Sequence, residues 1–198
     1  MKNLYSIILS TILFTIVSFT SNGQAISTFP HHTDFEGGFG SWKNSTTDVF
    51  NWTHRIGSGT PSSGTGPQSF PYGANMTDGY VFIESSSPRV DYDFASLECE
   101  YDFSSVIGAS LNFYYYQYNS SSGYGPGILE ITVSADGGNT WTLAFTSTTS
   151  SNSWRTASAD LSAFDGMPSV LIAIDGYVYG SGPYQFQSDI SIDEITVD

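Results

Sequence analysis

Between Gly79 and Val197 the chain repeatedly alternates apolar and polar residues with a period of two, in runs of seven to ten residues separated by Gly, Ser, Asn and Pro. In 127–135, Leu129, Ile131 and Val133 fall on one side, and Ile128, Glu130 and Thr132 on the other. In 168–176, Val170, Ile172 and Ile174 alternate in the same way with Leu171, Ala173 and Asp175. Successive side chains of a strand point to opposite faces, so this pattern marks strands with one face in a core. Segments 79–85, 110–118, 140–146, 153–161 and 188–197 read as strands too, and shorter strands are expected near 34–36, 48–54 and 93–99. No stretch carries a convincing helical period. About ten short strands with turn residues between them predict an all-β fold, an antiparallel sandwich around one core.

The N-terminus reads as an export signal. Lys2 precedes an apolar run, Leu4 to Phe19, and Ser21-Asn22-Gly23 supplies the small residues of a cleavage site. The run falls short of the about 20 apolar residues that span a bilayer, and no Cys follows for a lipid anchor. Residues 1–24 are therefore expected to be removed, leaving a domain over 25–198 that is secreted or held at the cell surface without inserting into the membrane. Nineteen acidic against five basic residues, a net charge of −14, exclude a nucleic-acid binder and a polybasic membrane contact. Thirteen Tyr, fourteen Phe and four Trp exclude a disordered acidic tail. A single cysteine, Cys99, rules out an intrachain disulfide and any multi-cysteine metal site. It is expected as a small buried apolar residue.

One hairpin is legible in detail. Ser134-Ala135-Asp136-Gly137-Gly138-Asn139-Thr140-Trp141 follows a Ser-x-Asp-x-Gly-x-Thr-Trp pattern, in which Asp caps the turn amides, the glycines take positive φ and Trp packs beneath the loop. It is similar to the Asp box of sialidase propellers, but it occurs once and the chain is too short for four blades. Catalytic signatures are sparse: there is no HExxH and no GxSxG. His31 and His32 point to opposite sides of an extended chain and read as a linker pair, while His54 stands alone. Asp91/Asp93 and Glu98/Glu100 each share one strand face and read as solvated acids, without the cleft-spanning separation of a glycosidase pair. A protein without catalytic activity is expected.

The most specific stretch is Asp34 to Pro67. Asp34-Phe35-Glu36, Gly40-x-Trp42, Asp48-x-x-x-Trp52 and the run Gly59-Thr60-Pro61-Ser62-Ser63-Gly64-Thr65-Gly66-Pro67 are followed by Gly79-Tyr80-x-Phe82-x-Glu84-Ser85, Leu111-x-Phe113, Trp141, Trp154 and Ser188 to Ile195. In this order they resemble the MAM domain, the extracellular module named after meprin, neuropilin and receptor phosphatase mu, here in a bacterial secreted version. The resemblance implies a jelly-roll-like sandwich of two antiparallel sheets of about five strands each. It also implies a non-catalytic adhesion or interaction role toward an extracellular protein or cell-surface partner. Such modules usually form part of a longer protein, and the chain suits both a complete small protein and the front of a larger one. Animal members carry paired cysteines; with Cys99 alone, stability must come from packing, and the aromatic residues are expected in the core.

The resemblance further implies a structural Ca2+ or Na+ ion joining the first strand to the last. Glu36 in the first strand, Asp78 at the start of 79–85 and Asp193 in the last strand are the candidate ligands, with Asp34 a substitute; hard cations take carboxylate and carbonyl oxygens. Ile190 and Ile192 belong to one phase of the last strand, Ile195 and Val197 to the other. A bulge at 193–194 would reconcile them and re-aim a carboxylate. The alternative function is carbohydrate binding. If Leu111, Phe113 and Tyr115 face the core, then Tyr114, Tyr116 and Tyr118 form a row on an outer face, flat enough to stack on sugar rings. Tyr177, Tyr179, Tyr184 and Phe186 would form a second rim. Both readings, protein partner and glycan, stay open at this point.

Overall fold

The computed structural model describes residues 24–119, 125–180 and 185–198, so nearly all of the expected export signal lies outside the described residues. Eleven strands occur among them: β1 (His31–Thr33), β2 (Lys43–Asn44), β3 (Thr53–Ile56), β4 (Gly79–Ile83), β5 (Phe94–Tyr101), β6 (Ser110–Gln117), β7 (Ile128–Ser134), β8 (Thr142–Ser147), β9 (Arg155–Asp160), β10 (Val170–Tyr177) and β11 (Ile190–Val197). They form two antiparallel sheets. The first runs β3-β4-β11-β6-β9 with β1 also on β11, and the second runs β2-β5-β10-β7-β8. Only β3–β4 and β7–β8 are neighbours in both sequence and space. The remaining connections cross between or over the sheets, as the expected jelly-roll arrangement requires. Among the described residues no helix is long and apolar enough to cross a membrane.

The inward phase of every long strand feeds one core. Leu97, Cys99 and Tyr101 of β5, Leu111 and Phe113 of β6, Leu129, Ile131 and Val133 of β7, and Val170, Ile172 and Ile174 of β10 are all buried. Trp42 and Trp52 are buried among them. The indole N–H of Trp52 is shared by the carbonyls of Ala95 and Ile174, at 3.1 and 3.2 Å, so a polar group is carried into the core with its hydrogen bonds made. Each fully buried Leu, Ile or Phe side chain stabilises the fold by about 1.5–3 kcal/mol. That packing stands in for the absent disulfides. Burial also pushes the Cys99 thiol up to about 11, which keeps it protonated.

The first strand differs from expectation. Residues 34–36 form a turn, with Phe35 at φ +54°, and the strand is the preceding His31–Thr33. The histidine pair is therefore not a linker: His31 pairs with Val197 and His32 with Thr196. The His31 imidazole meets the Tyr101 hydroxyl at 3.0 Å, and that of His32 meets the Thr196 hydroxyl at 2.9 Å. Backbone pairing to β11 and these two contacts order a segment whose side chains carry no hydrophobic signal.

The bulge in the last strand is present. The β11–β6 register shifts between Asp193 and Thr196, and Glu194 takes φ +52°. Ile190, Ile192, Ile195 and Val197 all reach the core as a result. On the other edge of β11, β4 pairs with residues 190–192 and β1 with 195–197. The bulge thus sits in a notch between two partner strands. The residues that leave β1 and those that enter β4 meet there.

Candidate functional site

The three metal candidates lie on the segments that meet at this notch, each with its own hydrogen-bond partners or surroundings. Glu36, in the turn after β1, accepts the amides of Asp78 and Gly79 through Oε1 at 2.7 and 2.5 Å. A side chain at Gly79 would strike the Phe35 carbonyl, so only glycine lets the two segments approach. Asp193 points away from the core. Its Oδ2 accepts from the Ala74 amide at 2.7 Å and the Thr77 hydroxyl at 3.0 Å, and Oδ1 from the Glu194 amide at 2.8 Å. It is 0% exposed, and burial pushes it up to about 7 despite these donors. Asp34 turns back on its own loop, accepting the Glu36 amide at 3.1 Å.

Among the described residues no three His, Cys, Asp or Glu side chains gather as a metal cluster. Most of their carboxylate oxygens already accept protein donors: both of Asp193 and Oε1 of Glu36. Asp78 Oδ1 is buried without a hydrogen-bond partner, and the Asp193 carboxyl is buried with no positive charge beside it.

The tyrosine row is not an open platform. Tyr116 is 5% exposed; its ring packs edge-on against Trp154 at 5.8 Å and its hydroxyl donates to Asn152. Tyr114 and Tyr118 are only half-buried, but the row is interrupted between them. The cause is the chain itself. Segment 57–78 folds over the outer face of the six-stranded sheet. It is tied down by Tyr80 Oη to the Ser58 carbonyl at 2.9 Å, Trp154 Nε1 to the Tyr72 carbonyl at 3.1 Å, and the Thr65 hydroxyl to Asp189 Oδ2 at 2.7 Å. The Gly- and Ser-rich run from 59 to 67 that marks the sequence is this cover.

The opposite outer face, on the five-stranded sheet, is open. Residues of the outward phase line up across the strands in register. Phe94 of β5, Tyr177 of β10 and Ile128 of β7 form one row, and Ser96, Asp175 and Glu130 the next. Glu98, Ala173 and Thr132 form the third, and Glu100, Leu171 and Ser134 the fourth. Ala173, the smallest side chain, lies at the bottom of a cleft of about 270 Å3 bounded by Glu98, Thr132, Asp175, Phe94, Tyr177 and Trp141. A second hollow of about 340 Å3, lined by Lys43, Glu100 and Leu171 among others, continues beyond Glu98, which borders both.

Three aromatic rings border the cleft. Phe94 and Tyr177 stack at 5.4 Å with planes 24° apart. Trp141 lies against its own hairpin, its indole N–H donating to the Gly138 carbonyl at 3.1 Å, and its other side is left 40% exposed on the cleft wall. Asp136 fixes the turn that places it, accepting the Thr140 amide at 2.9 Å, the Thr140 hydroxyl at 2.7 Å and the Ser134 hydroxyl at 2.8 Å. Those bonds hold the Asp136 carboxyl down to about 2.

The polar floor is acidic. Asp175, 6% exposed, takes the hydroxyls of Thr132, at 2.8 Å, and Ser96, yet burial holds its carboxyl above the usual range. Glu130 is raised by burial and by Asp175 beside it. The Tyr177 hydroxyl is pushed up to about 12 for the same reasons.

Of these residues the sequence singled out Tyr177 as part of a rim, Trp141 as a hairpin residue and Glu98 as a solvated strand acid; Tyr184 of that rim lies outside the described residues. Glu98, Glu130, Ala173 and Asp175 were legible as strand positions off the core phase, but neither they nor Phe94 and Trp141 were legible as neighbours. Their adjacency depends on strands β5, β10 and β7 lying side by side, which no local signal states.

The molecule is a two-sheet antiparallel β-sandwich with one covered face and one open, aromatic-edged face. Within that class, the chain belongs to the MAM family: the MAM domain, meprin/A5/mu, matches residues 33–198. In fold it is similar to the K1 cleaved adhesin domain of Lys-gingipain from Porphyromonas gingivalis, at 18% identity and TM-score 0.55 over 86% of this chain and 98% of that one. The K3 cleaved adhesin domain of the same protein gives 19% and 0.56, over 85% and 97%. The CBM22-2 xylan-binding domain of Paenibacillus barcinonensis Xyn10C gives 11% and 0.50, over 84% and 97%.

Proposed function

We propose that this is an exported, non-catalytic adhesion module that meets an extracellular or cell-surface partner through the outer face of its five-stranded sheet. The observation that carries the proposal is the asymmetry of the two faces. One is closed by segment 57–78; the other leaves three aromatic rings and three acids around a continuous groove. Exposed aromatic groups beside polar ones are what a recognition surface concentrates. The fold shared with domains named adhesin and xylan-binding is in keeping with a binding role.

The same proposal includes a structural cation in the notch, held by Glu36, Asp78 and Asp193 as Ca2+ or Na+. Bound there, it would neutralise the buried carboxyl of Asp193 and join the turn after β1 to β4 and β11.

Adsorption of the labelled, purified protein to intact cells and their insoluble extracellular material tests the contact surface. Retention should be lost in the Trp141→Ala, Tyr177→Ala double variant. Equal retention of a correctly folded double variant would place the contact elsewhere.

A further inference from the structure

We propose that the groove on the five-stranded sheet takes an uncharged polysaccharide chain, sugar rings lying against Trp141 and the Phe94–Tyr177 pair and ring hydroxyls donating to Glu98 and Asp175. This inference rests on the reading of that face as the contact surface and specifies its ligand.

Charge excludes one class of occupant. The groove carries three carboxyl groups with Lys43 at one end, in a chain of net charge −14, so uronate, sulfate and phosphate polymers are repelled. The arrangement of the acids disfavours a cationic chain. Asp175, the central one, is nearly buried and its carboxylate is already shared by the Ser96 and Thr132 hydroxyls. A lysine ammonium would have to give up most of its hydration to reach a carboxyl this deeply buried. A ligand hydroxyl instead adds one more donor to a carboxylate that is already held by hydroxyls.

The banding of the surface matches a molecule with apolar faces and hydroxyl edges. Phe94 and Tyr177 lie at one end, the polar row of Ser96, Asp175 and Glu130 comes next, and Trp141 lies near Leu171 at the far end. Residues 173 and 177 are about 13 Å apart along a strand, and the second hollow lengthens the groove past Glu98. That is longer than one sugar ring, so the fit is to a chain.

Affinity electrophoresis and calorimetry on the purified protein would use soluble xylan, galactan, mannan and glucan, with polygalacturonate and polylysine as charged counterparts. The expected result is saturable binding of a neutral polysaccharide that tightens from monosaccharide to tetrasaccharide. Trp141→Ala should weaken it about tenfold or more with an unchanged melting temperature, and Glu98→Gln should weaken it without touching the aromatic rings. Failure of all four neutral polymers, preference for either charged one, or loss in Tyr114→Ala with none in Trp141→Ala would overturn the proposal. If neutral polymers fail while adsorption to cells still depends on Trp141, the ligand class falls and the contact surface stands. If neither depends on Trp141, both fall.

Discussion

The carboxylate of Asp193 accepts a 2.7 Å hydrogen bond from the main-chain amide of Ala74, 119 positions earlier in the chain. Through this bond, and one from Thr77, the bulge of the last strand holds the end of the segment that covers the six-stranded sheet. The last strand, the cover and the candidate cation site therefore share one side chain.

Asp193→Ala, alone or with Glu36→Ala, is expected to lower the melting temperature and to abolish its dependence on calcium. Loss of the carboxylate leaves the Ala74 amide buried without a partner, a cost of about 1–3 kcal/mol. A bound ion at 100 times its Kd would add about 2.7 kcal/mol in the unmutated protein. Thermal melts with calcium and with chelator check both; identical wild-type melts would remove the ion from the account.

Asp189, buried and pushed up to about 7 by burial and by Glu84, makes stability depend on pH. The folded state binds a proton between the unfolded value near 4 and about 7 that the unfolded chain releases. Stability is therefore full below pH 4, falls as pH rises toward 7 and levels off above it. Asp189→Asn should flatten much of this slope in chelator, leaving the part due to Asp193. Melting temperature against pH for both proteins gives the answer, and an unchanged slope contradicts the assignment.

Tyr116→Ala should cost about 3 kcal/mol or more, because a buried ring against Trp154 is removed. Tyr114→Ala, at a half-buried position, should cost clearly less. Urea denaturation of the two variants separates them; equal small losses would mean that the face is open after all.

Asp136→Ala should leave the core intact while releasing the turn that holds Trp141 at the cleft. The expected signature is a red-shifted, more quenchable tryptophan fluorescence and weaker binding, with little change in the cooperative melt.

The Cys99 thiol, 4% exposed and raised to about 11, should resist aromatic disulfide reagents in the folded protein and react fully in denaturant. Rapid native-state reaction would show that β5 opens locally.

Much of the sandwich was readable because burial imposes a period of two on each strand, and even the bulge showed itself as a phase change between Ile192 and Ile195. β1 was not readable, since His31 and His32 owe their strand to partners 164 or more positions away. The tyrosine row illustrates a second limit. Alternation says that Tyr114 and Tyr116 leave the core, but a loop from elsewhere decides whether they meet water. Asp175 and Glu98 are the converse case. They look like unremarkable outward acids until three strands from distant parts of the chain set them beside Tyr177 and Trp141.

With the open face of the five-stranded sheet as the proposed contact surface and segment 57–78 lying over the other sheet, each copy of the domain offers one such face. Its valency is one. Attachment through a shallow, solvent-exposed groove of this kind is expected to be readily reversible for a lone copy. Durable adhesion would then arise from many copies displayed on one surface, where detachment of one leaves its neighbours to hold the polymer in reach at high effective concentration.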